Sequence, residues 1–149
     1  MLTALFFTSC TTIDLFEKNV AIPQHTWSSH FKPQFKFNIT DTSTTYQLYL
    51  ILRHTEKYSF NNIWINLYSK PPGDTAHKAS FELPLATNEK GWLGSSMDDI
   101  YEHRIKLTNP IRMKAGEYNF SIEQIMREDP LLNVMNVGLR VEKSTASTN

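Results

Sequence analysis

The chain has 149 residues, of which 40% are hydrophobic and 12% aromatic. That is enough for one domain with a buried core and too few for two comfortable ones. Lys plus Arg and Asp plus Glu number 15 each, so no net charge attracts nucleic acid or an anionic membrane surface, and a nucleic-acid partner is not expected.

The chain begins with a short apolar run that ends in small residues and in the only cysteine, Cys10. This run is too short to span a bilayer. The residues Phe7-Thr8-Ser9-Cys10 loosely fit the signal of a bacterial lipoprotein, which is cleaved before a cysteine that becomes lipidated. Two features depart from that signal, because Phe7 stands where Leu is usual and no Lys or Arg precedes the run. We predict a truncated signal peptide over residues 1–9 and lipidation of Cys10; the alternative is a buried free cysteine.

Residues 10–26 are predicted to form a lipidated tether. Their sequence shows no sustained period, and Val20-Ala21-Ile22 before Pro23 favours a short edge strand at most. Trp27 and Phe31 are expected to pack onto the domain that follows.

Alternation of apolar and polar residues predicts a rapid succession of strands. In the first half the strands are predicted at residues 34–40, 46–53, 63–68 and 79–85. The second of these is apolar on both faces and is therefore predicted to be central. The turn residues Pro71-Pro72-Gly73-Asp74 predict a protruding loop before the fourth strand.

The stretch from Phe81 to Ile100 predicts an edge strand that leads into a fixed corner. Phe81, Leu83 and Leu85 share one face, while Pro84 cannot donate a ladder hydrogen bond, which is typical of an edge. Two glycines then bracket two large side chains in Gly91-Trp92-Leu93-Gly94. We expect the glycines to take positive φ or to allow close packing, and Trp92 and Leu93 to plug the end of the core. The alternative is an ordinary solvent loop.

The second half of the chain is less regular. We predict helical turns at residues 95–102 and 123–128, and strands at residues 104–107, 118–123 and 137–142. The last residues, 144–149, are predicted to be a disordered tail.

These elements predict an all-β fold. About seven to eight short strands with no helix of ordinary length between them favour an antiparallel β-sandwich of jelly-roll or immunoglobulin-like type, with one or two helical turns, over residues 27–143. A small barrel is the alternative, since strand order decides between the two.

The sequence contains no recognisable catalytic or metal-binding constellation. The five histidines, at positions 25, 30, 54, 77 and 103, lack metal-ligand spacing and are interpreted as surface residues. Asp98, Asp99 and Glu102 lack the alternation of a dedicated calcium loop and are interpreted as a solvated turn. Nucleophile-elbow and phosphate-loop motifs are absent from the sequence, so no enzyme activity, cofactor, metal or small-molecule substrate is predicted.

Aromatic residues offer a weaker hypothesis of sugar binding. Trp27, Trp64 and Trp92 could form a stacking platform of the kind that sandwich modules use. Trp64 is the best candidate because Ile63 and Ile65 point the other way, although covering a second sheet is the expected role for it.

Several segments resemble one known family, the gliding-motility lipoproteins called GldH of the Bacteroidetes. The segments are Tyr46–Thr55 with Tyr58–Trp64, Gly91–Gly94 with Asp99-Ile100, Phe120–Arg127 and Val137–Glu142. The resemblance runs from about Trp27 to Lys143, and a lipidation cysteine such as Cys10 belongs to it. It implies a lipid-anchored component of the cell envelope, expected at the outer membrane and associated with gliding and type IX secretion.

The sequence is therefore consistent with two functions. The favoured one is a non-enzymatic component that contacts other envelope proteins, and the alternative is a surface glycan-binding lipoprotein. For the favoured function, the candidate partner surface comprises the edge residues Glu82 and Pro84 and the loop residues Pro71, Pro72 and Asp74.

Overall fold

The computed structural model describes residues 15–144. Its only helical element among these residues is a short 3-10 turn at Pro23–His25. The strands are β1 (Leu15–Ala21), β2 (Thr26–Trp27), β3 (Gln34–Ile39), β4 (Thr45–Thr55), β5 (Asn62–Lys70), β6 (His77–Pro84), β7 (Ala86–Thr87), β8 (Gly91–Trp92), β9 (Ser95–Met97), β10 (Ile100–Lys106), β11 (Ile111–Arg112), β12 (Gly116–Gln124), β13 (Leu131–Leu132) and β14 (Val134–Ser144).

Two antiparallel sheets enclose one core and form the predicted β-sandwich. The larger sheet has the order β1-β14-β4-β10-β9, with β11 paired to the start of β4. The smaller sheet has the order β3-β12-β5-β6. Two short ladders, β13 with β2 and β7 with β8, lie outside these sheets. The all-β sandwich prediction is confirmed.

The alternation of inward and outward side chains explains how the two sheets pack together. β3 and β12 bury every second residue, which is what half-buried antiparallel strands require. The inward side chains of the two sheets share one cluster, whose largest fully buried members are Trp27, Phe35, Tyr46, Leu48, Leu50, Leu52, Ile63, Ile65, Leu85, Ile122, Leu131 and Leu139.

β4 is the central strand of the larger sheet, as predicted. It pairs with β14 along one edge and with β10 and β11 along the other. Gln47 and Ile51, which point away from the inter-sheet core, are also buried, at 5% and 2% exposure. β4 is thus largely enclosed on both faces, and this is why its sequence is apolar on both.

The first strand begins earlier than the sequence indicated. β1 starts at Leu15, inside the predicted tether of residues 10–26, and pairs in full with β14. Phe16 and Val20 pack against the core, and the Glu17 carboxylate lies 3.3 Å from the Arg140 guanidinium. The prediction of at most a short strand after Asn19 was therefore wrong, because an edge strand needs only part of one face to be apolar.

Trp27 packs as predicted, whereas Phe31 does not. The Trp27 ring is fully buried and its Nε1 donates a 2.7 Å hydrogen bond to the Phe31 carbonyl. The Phe31 side chain is 37% exposed. The backbone of Phe31 therefore contributes to the packing of Trp27 more than its ring does.

Both predicted helical turns were wrong. Residues 95–102 form the β9–β10 hairpin, in which Met97 pairs with Ile100 around the two-residue loop Asp98-Asp99. Asp98 has a φ of +55°, a conformation that Asp tolerates in tight hairpin turns. At residues 123–128, β12 continues to Gln124 and no helix follows.

The predicted corner is a small hairpin, β7–β8, that leads into β9. Gly91 has a φ of +66°, and a Cβ atom at Gly94 would overlap the Glu102 carbonyl. Trp92 is half-buried instead of buried. Leu93 is 42% exposed, so the prediction that it plugs the core was wrong. The backbone N–H of Leu93 donates to the Leu85 carbonyl at 2.9 Å, so the corner is tied to the end of β6 through the backbone of Leu93 and not through its side chain.

The two glycines of the corner should differ in their tolerance of a methyl group. Gly91→Ala meets no atom within 4 Å and should cost only the left-handed backbone conformation, about 1 kcal/mol. Gly94→Ala places its methyl group against backbone that cannot rotate away, and should cost about 3 kcal/mol. Urea denaturation of the two variants measures both values, and equal costs would contradict the close approach of Gly94 to β10.

Candidate functional site

β6 is an edge strand, as the position of Pro84 indicated. Among the strands of residues 15–144 its only neighbour is β5, and Pro84 lies opposite Asn62. Glu82 and Pro84 are both exposed, and the Glu82 carboxylate accepts a 3.0 Å hydrogen bond from Asn62 Nδ2. One side of β6 thus leaves backbone groups available to a further strand.

The loop before β6 is a structured turn. The backbone N–H of Asp74 donates to the Pro71 carbonyl at 3.3 Å, and the Asp74 carboxylate lies 3.2 Å from His77. Hydrogen bonds from the Thr75 backbone N–H and then from His77 hold the pKa of Asp74 below its ordinary value. Pro72 packs so closely on Gly116 that an added Cβ would lie 2.7 Å from its ring, so the base of the loop is fixed to β12.

The candidate partner residues therefore lie at opposite ends of one strand. Pro71 and Asp74 lie beside the start of β6, whereas Glu82 and Pro84 lie at its end. An eight-residue strand is about 26 Å long. The structure brings the predicted residues to one edge without bringing them to one point, which suits an extended partner better than a compact ligand.

A cleft of about 350 Å³, called here the inter-sheet cleft, lies beside the start of β6 and was not predicted from the sequence. Its floor consists of core side chains from both sheets, among them Leu48, Leu67 and Phe120. Lys78, Arg112 and Lys114 are among its lining residues and are exposed. The pairing of β11 with β4, which forms one wall, had no signal in the sequence because a two-residue strand has no period.

Trp64 lies on the outer face of the smaller sheet and is 41% exposed, so the expectation that it covers a second sheet was wrong. It shares a shallow groove with Phe60, Ile125 and Arg127. A platform built from all three tryptophans is excluded, because Trp27 is fully buried.

Two of the histidines form a buried pair, which corrects their interpretation as surface residues. His54 is fully buried and His103 is 3% exposed. Their Nε2 atoms lie 2.9 Å apart, and His54 Nδ1 lies 2.8 Å from the Thr55 carbonyl. The Trp92 ring lies 4.5 Å from the His54 ring, centroid to centroid. The signal in the sequence was the phase of His54, which continues the inward face of β4.

Burial determines the protonation of this pair. Burial lowers the pKa of His54, and burial together with the adjacent His54 lowers the pKa of His103 to about 4. Both rings are therefore neutral at pH 7. One nitrogen of His54 contacts the Thr55 carbonyl and the other contacts His103. Because the Trp92 ring packs on His54, the pair anchors the Trp92 corner to β4 and β10.

The pair should make the protein less stable at mildly acidic pH. His103 takes up a proton near pH 6.5 in the unfolded chain but only near pH 4 in the folded protein. Its contribution to the free energy of unfolding is therefore largest above pH 6.5 and falls as the pH decreases toward 4. His103 alone should account for a loss of about 2 kcal/mol between pH 7 and pH 5. Urea denaturation at both pH values measures it.

A matched control for this measurement is the exposed histidine of the β6 loop. His77→Gln should leave the difference between pH 7 and pH 5 nearly unchanged, whereas His103→Gln should reduce it by most of its value. An equal pH dependence in the wild type and His103→Gln would contradict the role of the pair.

Cys10 lies outside the described residues. Within residues 15–144, no group of three or more His, Cys, Asp or Glu side chains is placed to hold a metal ion. No helix in this range is long and apolar enough to cross a membrane.

Two solved structures match this chain at low similarity. The carbohydrate-binding module TmCBM61, solved with β-1,4-galactotriose, is 11% identical, with 85% of this chain and 69% of the module covered and a TM-score of 0.37. The VP2 subviral particle of infectious bursal disease virus is 13% identical, with 85% and 32% covered and a TM-score of 0.37.

Protein relatives are similar over almost their whole length. The gliding motility lipoprotein GldH homolog of Christiangramia forsetii is 24% identical, with 95% of this chain and 91% of the relative covered. The gliding motility lipoprotein GldH of Flavobacterium johnsoniae is 23% identical, with 96% and 93% covered. The model of the GldH lipoprotein family matches residues 14–141, which comprise nearly all of the sandwich. The resemblance found in the sequence is thereby confirmed, and the chain belongs to the GldH lipoprotein family.

Proposed function

We propose that this protein is a non-enzymatic, lipid-anchored component of the gliding-motility apparatus and of the type IX secretion system linked to it, and that it acts by holding another envelope protein. Membership of the GldH lipoprotein family is the observation that carries the proposal. The relatives from two genera are named as gliding motility lipoprotein GldH or its homolog, and the match covers at least 91% of the length of each. The sandwich itself is therefore the shared unit.

The anchor in this proposal is Cys10, acylated after removal of residues 1–9. Four residues separate Cys10 from β1, and a chain of that length spans at most about 14 Å. A domain of zero formal net charge gains little attraction to a membrane, so the acyl chains, at ~0.8 kcal/mol per buried CH₂, must supply the binding. Under this proposal the anchored domain lies at the outer membrane.

Acylation of Cys10 is tested by metabolic labelling with a clickable fatty acid in the native organism. The wild-type protein, made from its native start, should be labelled and remain with the membrane fraction. Cys10→Ser should lose the label and appear in the soluble fraction, because the chain then lacks its hydrophobic anchor. An unlabelled wild-type protein would contradict the proposed anchor.

The contact surface in this proposal is the β6 edge. An extended segment of a partner can add a strand to such an edge, with backbone hydrogen bonds giving affinity and alternate side chains giving specificity. β6 (His77–Pro84) supplies about 26 Å of edge for this purpose. Tethering both proteins to one membrane raises their effective concentration, so a modest interface suffices.

Crosslinking of the cell envelope followed by mass spectrometry tests this contact. The wild-type protein should enrich at least one other envelope protein, and Glu82→Pro should lose it because the ring removes one backbone donor from the edge. Lys36→Pro, a change at an exposed position of β3 on the opposite edge, is the matched control and should retain the partner. Circular dichroism must first show that both variants are folded. Retention of the partner by folded Glu82→Pro would contradict the assigned edge.

The exposure of Trp64 favours a second candidate, glycan binding. Its ring could stack on a sugar in the groove that it shares with Phe60, with Asn62 and Arg127 as hydrogen-bonding groups. Enrichment of glycans or peptidoglycan fragments alone, lost in Trp64→Ala and retained in Lys36→Pro, would favour this candidate over protein contact.

A further inference from the structure

The inter-sheet cleft has the size and lining of a small-molecule site that the proposed protein contact does not use. At about 350 Å³ it lies within the range of roughly 300–1,000 Å³ that small-molecule pockets occupy. It exists because β6 and β11 are edges of different sheets and do not pair, so the sandwich stays open between them. Ile111, on β11, is 37% exposed at this opening. Leu48, Leu67 and Phe120 make the floor mainly apolar, with Ser69 and Thr108 also in the lining.

The opening of the cleft carries positive charge. Lys78, Arg112 and Lys114 lie at its rim and are exposed, and none of them forms an ion pair with a carboxylate in the described part of the chain. Lys78 pairs with Tyr68 and Arg112 with Thr45, which are outward-facing positions of the two sheets, so these side chains flank the opening and not the interior. The one lining carboxylate, Asp74, is paired with His77 and also feels the charge of Lys114. Three cations and one anion leave a local charge of +2 on a protein whose formal net charge is zero. An anionic group is thus favoured at the opening.

One lining side chain has an unused hydrogen-bonding group. The hydroxyl of Thr108 is buried and has no hydrogen-bond partner among residues 15–144. Buried hydroxyls are normally satisfied, so Thr108 is an exception among the polar side chains of the described residues.

The cleft also lies at the end of the sandwich where the chain enters from its amino terminus. Leu15 pairs with Glu142, and Glu142 pairs with Gln47. The preceding residue of β4, Tyr46, pairs with Ile111 at the cleft. The line from β1 through β14 and β4 to β11 crosses three strand spacings, about 14 Å.

We propose that the inter-sheet cleft binds one acyl chain of an anionic single-chain amphiphile, with a long-chain fatty acid as the simplest member. The chain lies over Leu48, Leu67 and Phe120, and the carboxylate lies among Lys78, Arg112 and Lys114. The chemistry of the cleft stands by itself. Only the source of the ligand, the membrane beside the anchor, rests on the proposed acylation of Cys10.

Binding is measured by calorimetry on the full-length Cys10→Ser chain, with palmitate below its micelle concentration as the probe. Palmitate should bind at one site with micromolar affinity. Hexadecanol, which has the same chain without the charge, should bind at least fivefold more weakly, and acetate should not bind. No binding of palmitate, or equal binding of palmitate and hexadecanol, would overturn the proposal. Because this chain is unacylated, the result is independent of the labelling of Cys10.

Two variants locate the ligand. Ala79 is a small, exposed residue of β6 that lines the cleft, so Ala79→Phe should block the chain and weaken binding at least tenfold. The same change at exposed Ala21, in the other sheet, should have no effect. The double variant Arg112→Gln/Lys114→Gln should weaken palmitate at least fivefold and hexadecanol hardly at all. Unchanged affinity in either cleft variant would overturn the assigned position.

Photocrosslinking gives an answer that does not depend on the folding of any variant. Palmitate carrying a diazirine on its chain should label the wild-type segments 77–81 and 108–114, which line the cleft. Labelling confined to the groove of Trp64, or spread evenly over the surface, would overturn the proposal in favour of another apolar site.

Discussion

The enclosure of β4 is the constraint on which the rest of this structure depends. Its eleven residues are covered on one face by the opposite sheet, and Gln47 and Ile51 are buried on the other. Both of its edges are also paired, with β14 along one side and with β10 and β11 along the other. Buried backbone groups must be hydrogen-bonded, so this strand fixes the register of its three neighbours at once. The outer strands, β1 and β6, are each paired along one edge only among the described strands, so fewer of their backbone groups are fixed by a neighbour.

This division separates the scaffold from the surfaces that can recognise other molecules. The aromatic and histidine cluster around Trp92 and His54 ties the hairpins at one end of β4 to the core. The inter-sheet cleft lies toward the other end of β4, where β11 supplies only two residues of pairing and the sandwich remains open. Between these ends, β6 keeps one edge unpaired among the described strands. The groups able to bind a partner thus lie where the strands have the fewest hydrogen-bonded neighbours.

Much of the sandwich was predictable because burial of one face imposes a period of two. β3, β5, β12 and β14 carry that period plainly, and the central position of β4 followed from its second apolar face. Most of β1 was not predicted, because exposed Lys18 lies between Phe16 and Val20 on its inward face and breaks the apolar alternation. The β9–β10 hairpin was mistaken for a helical turn because Ser and Asp favour both helix caps and tight turns. Of the candidate site, the edge at Pro84 was visible in the sequence, whereas the cleft and the histidine pair depend on which strands become neighbours.

The antiparallel ladder between β1 and β14 has a mechanical consequence. The chain enters β1 at Leu15, and all seven residues of the strand lie alongside β14. Antiparallel hydrogen bonds lie perpendicular to the strands. A pull on the amino terminus along the strand direction therefore loads the whole ladder in shear instead of opening one rung at a time. The load passes from β14 directly into β4, the central strand of the larger sheet, so a force applied at the amino terminus would be borne by the core and not by a loop.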